Sequence, residues 1–181
     1  MQTFENFDHP LRGAVLFMGK YGATRQYAEW IAEETDLPLF DLGKEKPGLF
    51  AYDYYILGSS IYLGRLHIRN WLKENWPVLK SKPTLLFSVS GSPAGHPDLE
   101  EALQVSLSPE MRKKMYYVPL QGRLILEELP WFLRLMLKFV GRSQKEEETA
   151  QRMLYGFDYV EKKYIEPILK WEEDVMTVEQ I

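Results

Sequence analysis

Three segments of strand length, residues 13–18 (GAVLFM), 54–58 (YYILG) and 84–89 (TLLFSV), are apolar almost throughout and do not alternate with polar residues. A strand with one wet face alternates at period two, so an unbroken apolar run belongs to a strand that is dry on both faces. Such strands belong in a parallel sheet with helices on either side. The segments between them agree. Residues 24–35 carry Ala28, Ile31, Ala32 and Thr35 at helical spacing, with Arg25, Glu29, Glu33 and Glu34 elsewhere; residues 67–79 place Ile68, Trp71, Leu72, Trp76 and Leu79 on one side. Short strands are expected at 38–42 and at 115–120, the latter at an edge because of Pro119. Asp98 is expected to cap a helix reaching residue 107, and Pro109 to start a further turn. A long final helix is expected over 151–171, carrying Leu154, Phe157, Val160, Tyr164, Ile168 and Trp171, with Pro167 bending it. The order predicts an α/β three-layer sandwich, a five-stranded parallel sheet with helices on both faces. Residues 1–12 read as a leader, 13–171 as a single domain with an insert at about 121–148, and 172–181 as a tail.

Composition removes several functions. The 181 residues include 22 Lys and Arg against 26 Asp and Glu, a formal charge of −4, which argues against a dedicated nucleic-acid binder. Cysteine is absent, so there is no disulfide scaffold, thiolate metal site or Cys nucleophile. The three histidines, His9, His67 and His96, lack metal-ligand spacing, and no metal is expected. Ser88-Val89-Ser90-Gly91-Ser92 lacks the first glycine of a hydrolase elbow. No apolar run reaches the roughly 18 residues of a membrane span, and the start lacks a signal peptide. A cytoplasmic protein is expected.

Ligands of open parallel sheets bind at the carboxyl ends of the strands. Three loops rich in Gly, Ser or Thr leave such ends: 19–23, 59–64 and 90–97. The first, Gly19-Lys20-Tyr21-Gly22-Ala23-Thr24, meets a helix N-terminus, where free N–H groups and the helix dipole favour an anion. It fits neither the Walker pattern nor the dinucleotide GxGxxG, which leaves a mononucleotide phosphate. A phosphoacceptor receiver would need acidic residues where Met18 and Gly58 to Ser60 stand.

With its apolar strand and its loop ending in Gly22-Ala23-Thr24, the chain resembles the flavodoxin family, whose corresponding loop wraps the phosphate of FMN. The resemblance implies FMN as cofactor and assigns to it Gly19, Lys20, Tyr21, Gly22, Ala23 and Thr24. It adds Ser59, Ser60, Ile61, Tyr62, Leu63 and Gly64 with Ser90, Gly91 and Ser92 from the two loops that flank the flavin ring. Gly19 stands where the family has a hydroxyl residue, so Lys20 or backbone amides must compensate. Tyr62 is either a ring wall or a packing residue.

Ser60-Ile61-Tyr62-Leu63-Gly64-Arg65-Leu66-His67 further resembles the Ser-Ile-x-x-Gly-x-x-His pattern of the menaquinone-dependent protoporphyrinogen IX dehydrogenases, a flavodoxin-fold branch. That likeness extends over about residues 13–169 and includes an extra segment before the last helix. It implies an FMN-dependent dehydrogenase that oxidises a porphyrinogen-like substrate and passes electrons to a quinone. His67 then lies near the ring as a candidate catalytic proton relay, or is a helix-start histidine bonded to a neighbour. His96 faces substrate or solvent. The alternatives are a non-catalytic flavodoxin-like electron carrier and a flavin-free binding protein.

The insert has its own physics. Residues 129–140 (LPWFLRLMLKFV) place Arg134 and Lys138 four apart beside Trp131, Phe132 and Phe139, with Arg142 a further four on and no acidic residue from Leu129 to Lys145. Such a helix suits peripheral contact with a membrane surface through Trp131, Phe132, Arg134, Lys138 and Arg142, or contact with substrate; it can equally pack over the flavin pocket or form a dimer contact. The acidic run at 146–148 reads as a solvated helix start.

Overall fold

A computed structural model describes residues 11–144 and 147–177. In chain order its elements are β1 (Gly13–Met18), α1 (Ala23–Thr35), β2 (Leu39–Asp41), β3 (Tyr54–Tyr62), β4 (Arg65–Leu66), α2 (Arg69–Leu79), β5 (Thr84–Ser90), α3 (Pro97–Ser106), α4 (Pro109–Lys114), β6 (Tyr116–Gln121), β7 (Arg123–Leu124), α5 (Trp131–Ser143), α6 (Glu147–Tyr155), β8 (Phe157–Asp158) and α7 (Glu166–Thr177). The parallel sheet runs β2-β1-β3-β5-β6, with β4 folded back on β3. This is the expected α/β three-layer architecture, with β6 at an edge.

The sandwich follows from the strand sequences. Ala14 and Leu16 of β1, Tyr55 and Leu57 of β3 and Leu86 of β5 face one core, closed by Leu72, Trp76 and Leu79 of α2 and by Leu103, Leu107 and Met111. Their neighbours Val15, Phe17, Ile56, Leu85 and Phe87 face the other, closed by Tyr27, Ala28 and Ile31 of α1 and Ile168 of α7. Each strand therefore splits its side chains between two dry layers. Close approach is needed at Gly58, where a Cβ would lie 2.3 Å from the Phe87 ring.

Three expectations are corrected. Residues 59–62 are not loop: β3 runs on to Tyr62 and turns through Leu63 and Gly64, both at positive φ (50° and 68°), into β4. That is the mirror-image two-residue turn matching strand twist. The helix expected over 151–171 is broken: α6 ends at Tyr155, Gly156 adopts φ 76°, and Phe157–Asp158 pairs with Arg123–Leu124. Pro167 sits in the first turn of α7, where its missing N–H costs nothing, and α7 continues past Trp171 to Thr177. Its Glu172 accepts a 2.5 Å hydrogen bond from the Tyr54 hydroxyl. Lastly, His96 and not Asp98 caps α3, its Nδ1 accepting from Asp98 N at 3.3 Å. His9 and Glu146 lie outside the described residues, as do residues 1–10 of the leader and 178–181 of the tail; Glu147 opens α6.

Gly58→Ala is expected to destabilise the fold by about 1–3 kcal/mol through overpacking against Phe87, measured by urea unfolding; unchanged stability would show that the ring moves aside freely.

Candidate functional site

The direction of chain progression reverses between β1 and β3, and the carboxyl ends of these strands lie side by side, Met18 pairing with Ser59. Such a reversal leaves a crevice beyond the strand ends. A cavity of about 430 Å³ lies there, within the size range of small-molecule sites. Three walls come from the three loops singled out by their Gly, Ser and Thr content: Tyr21, Ala23 and Thr24; Ser60, Ile61, Tyr62 and Leu63; and Ser90 and Gly91.

The first wall is built by the entry into α1. Gly22 precedes the helix at φ 82°, and the first intrahelical bond runs from Gln26 N to Gly22 O at 2.9 Å. The N–H groups of Ala23, Thr24 and Arg25 thus have no acceptor within the helix, which is the geometry that receives an anionic group. Thr24 is buried and lies on the cavity wall. Gly19 is tied to it: a Cβ at position 19 would stand 2.7 Å from Thr24 Cβ. Packing against Thr24 explains why no hydroxyl-bearing residue stands there.

Lys20 does not line the cavity. Its ammonium sits 3.5 Å from the centroid of the Tyr62 ring and 5.7 Å from that of Tyr21, and the two rings meet edge to face at 6.2 Å. The cation pulls the Tyr62 hydroxyl below its ordinary value, and the Tyr62 hydroxyl in turn raises Lys20. Lys20 occupies one face of Tyr62, so stacking on that ring is confined to the other.

Ser60 lines the cavity, and its Oγ is buried without a partner. Ser59 is assigned differently by the structure: it is wholly buried, and its hydroxyl donates to Ser60 O at 2.9 Å and accepts from Ile68 N at 3.2 Å. It holds the root of the hairpin and does not reach the cavity wall. Gly64 serves the turn, and Ser92 N donates to Ser90 Oγ at 3.2 Å.

His67 is likewise not brought to the wall. Its backbone N–H donates to Ser60 O at 2.9 Å, while its Nδ1 is buried without a partner. Burial, followed by the charges of Lys20 and Arg69, lowers its pKa from the ordinary value. The lowering favours the neutral ring. His96 caps α3 and faces Asp98 Oδ2 at 3.4 Å.

The fourth wall is the insert packed over the pocket, one of the placements open to it from the sequence. Leu129, with Leu133, Met136 and Leu137 of α5, closes the cavity from the side, and Arg123, Leu124 and Phe157 from β7 and β8 complete it. Phe157 fits against Gly91, where a Cβ would meet the ring at 2.7 Å. The apolar run at 129–140 was the available signal, but its cavity-facing residues are Leu133, Met136 and Leu137. Trp131, Phe132, Arg134, Lys138 and Arg142, expected to touch membrane or substrate, all lie on exposed parts of α5 away from the cavity wall. Helical phase accounts for the separation, since the two sets fall on different sides of one helix; it removes the five residues from the cavity and leaves their contact with a membrane surface as an open expectation.

With these walls in place, comparison with known proteins is informative. A family model described as a flavodoxin domain matches residues 14–151. The chain belongs to the flavodoxin domain family. Solved structures similar to this flavodoxin-domain protein include a flavodoxin from the domain Archaea, at 15% identity over 90% of this chain and 99% of that chain with a TM-score of 0.45. They also include the Trp repressor binding protein of Bacillus subtilis, at 12% identity over 77% and 94% with a TM-score of 0.42. No curated protein matches the sequence. Family membership implies a flavin cofactor, and the cavity fits one: free helix N–H groups at one end, aromatic and apolar walls, and the unpartnered Ser60 Oγ beside them. Among the described residues no group of His, Asp or Glu is placed to hold a metal ion, and no helix is long and apolar enough to cross a membrane.

Two outcomes are expected. Gly19→Ser restores the hydroxyl of the family pattern but collides with Thr24, so it should lower stability by about 1–3 kcal/mol without tightening flavin binding, read by thermal unfolding and by flavin titration. His67, with its folded pKa lowered, contributes stability that is complete above about pH 6.5 and is lost as pH falls toward the folded value. Melting temperatures of His67→Gln should accordingly fall less steeply than those of the unmodified protein below about pH 6.5.

Proposed function

We propose that this protein is an FMN-dependent oxidoreductase that takes electrons from a reduced small organic molecule of the porphyrinogen type and delivers them to a membrane quinone. The observation that carries this reading is the apolar wall of Leu133, Met136 and Leu137, set across the cavity from the α1 N-terminus and the β3–β4 hairpin. A carrier that docks to protein partners needs an open cofactor edge; a side wall of aliphatic residues suits a flat, apolar small molecule instead.

When bound, FMN supplies the redox chemistry that the side chains lack. The chain's own contribution is binding and exclusion. The free N–H groups of the first turn of α1, with the Thr24 hydroxyl, hold a phosphate. Ile61, Tyr62 and Leu63 form a wall for a planar ring, and Arg123, the cation among the lining residues, already faces Asp158 Oδ2 with its Nη1 at 3.9 Å. Phe157 and α5 keep water from that side. Each turnover removes two electrons and two protons from the donor and converts one quinone to its quinol. No described side chain on the cavity wall is a histidine or a carboxylate, so protons exchange with solvent or between the two substrates.

Gly19 is the departure that favours a flavin-free binding protein, and a spectrum separates the two. Purified protein incubated with FMN should show bound flavin bands that bleach anaerobically with a porphyrinogen and return on adding a menaquinone analogue. Protein that stays colourless with excess FMN would overturn the reading. Thr24→Val should weaken FMN binding about tenfold, the loss of one hydrogen-bonding group, with the fold intact by circular dichroism. Unchanged affinity would show that the phosphate lies elsewhere.

A further inference from the structure

Helix α5 is two-faced in an unusual way. At about 100° per residue, Leu133, Met136 and Leu137 point toward the cavity, whereas Trp131, Leu135, Phe139 and Phe132 fall in a sector of about 100° on the other side. Among the described residues, four of the eleven exposed large hydrophobic side chains lie in this one sector, with Trp131 72% and Phe139 67% exposed. Monomeric proteins seldom leave such a face uncovered. Arg134 and Lys138 line one border of the sector and Arg142 continues their row at its C-terminal end; all three are exposed, and no acidic residue occurs within Trp131–Ser143.

We propose that this outer face docks the protein on an anionic phospholipid bilayer, with α5 lying in the plane of the headgroups. Charge complementarity selects this occupant. Trp, Phe and Leu enter the acyl boundary while flanking Arg and Lys meet anionic headgroups, the division of labour of an interfacial helix. A second copy is the poorer fit: an isologous contact would set Arg134, Lys138 and Arg142 beside their own copies with no acid in the helix to answer them. Thirteen residues give a helix of about 20 Å, too short to cross the hydrocarbon core.

Docking leaves the cavity wall in place. Leu63, at the tip of the β3–β4 hairpin and 79% exposed, lines the cavity together with Leu133, Met136 and Leu137 of α5, whereas the docked face is the side of α5 turned away from it. The docking proposal therefore does not rest on the redox reading of the cavity.

The test is co-sedimentation of the full chain, with and without FMN, with phosphatidylcholine vesicles containing or lacking phosphatidylglycerol. The expected result is sedimentation with the anionic vesicles and about tenfold or more weaker binding to neutral ones. Phe132→Ser with Phe139→Ser should abolish binding to both. Arg134→Gln, Lys138→Gln and Arg142→Gln together should erase the preference for anionic lipid. Neither set lines the cavity, so FMN titration and circular dichroism should match the unmodified protein. Wild-type protein that stays in the supernatant overturns the proposal, as does equal sedimentation of the Phe variant. A dimer in sedimentation velocity that the Phe substitutions dissolve, without vesicle binding, assigns the face to a second copy and also overturns it. Vesicle binding without FMN binding would sink the redox reading and leave the docking standing.

Discussion

β3 sends Tyr55 and Leu57 into one helical layer and Ile56 into the other, and at Gly58 the strand passes directly beneath the Phe87 ring. With both faces of the central strands dry, no polar side chain can be accommodated along them without a partner, and binding chemistry is displaced to the strand ends. The switch from α1 on one face to α2 on the other then opens the crevice between Met18 and Ser59. The position of the cavity follows from the burial of the strands.

The segments that leave β3 and β6 specialise the surroundings of that crevice. The β3–β4 hairpin carries Ile61, Tyr62 and Leu63 beyond the sheet on a rigid two-strand arm instead of a loose loop, with its root fixed by the Ser59 hydroxyl. On the far side α5 supplies aliphatic residues and Phe157 seals the floor against Gly91. The family fold provides the end with free helix N–H groups, and the insert provides the apolar side wall. The proposal of a small-molecule oxidoreductase therefore depends on α5 more than on the glycine-rich loop at residues 19–24.

The strands with two dry faces were legible in the sequence because absence of alternation is itself a signal, and the glycine-bounded ends pointed to Tyr21, Thr24, Ser60, Tyr62 and Gly91 as lining residues. The β3–β4 turn was not legible: Leu63-Gly64 lacks the Asn-Gly or Asp-Gly signature, and Leu63 at positive φ is set by pairing across the hairpin. The break at Gly156 was hidden for a different reason. Leu154, Phe157, Val160 and Tyr164 keep helical spacing across it, and only the long-range pairing of β8 with β7 pulls Phe157 out of the helix and into the cavity wall. Periodicity also left open which side of α5 faces inward, because nearly every side of that helix is apolar. For His67, motif spacing fixes the backbone beside Ser60 without fixing where the ring goes, and the residue is not among those lining the cavity.

The insert leaves the sheet through β7 and returns through β8, and these two strands lie side by side, Leu124 opposite Phe157 and Arg123 opposite Asp158. Everything between them therefore behaves as a cassette with a closed base. Because residues 125–156 begin and end at this one antiparallel pair, changes of length between them need not alter the register of β1, β3, β5 and β6, and the cavity wall and the outward face of α5 can diverge at a pace independent of the fold that carries them.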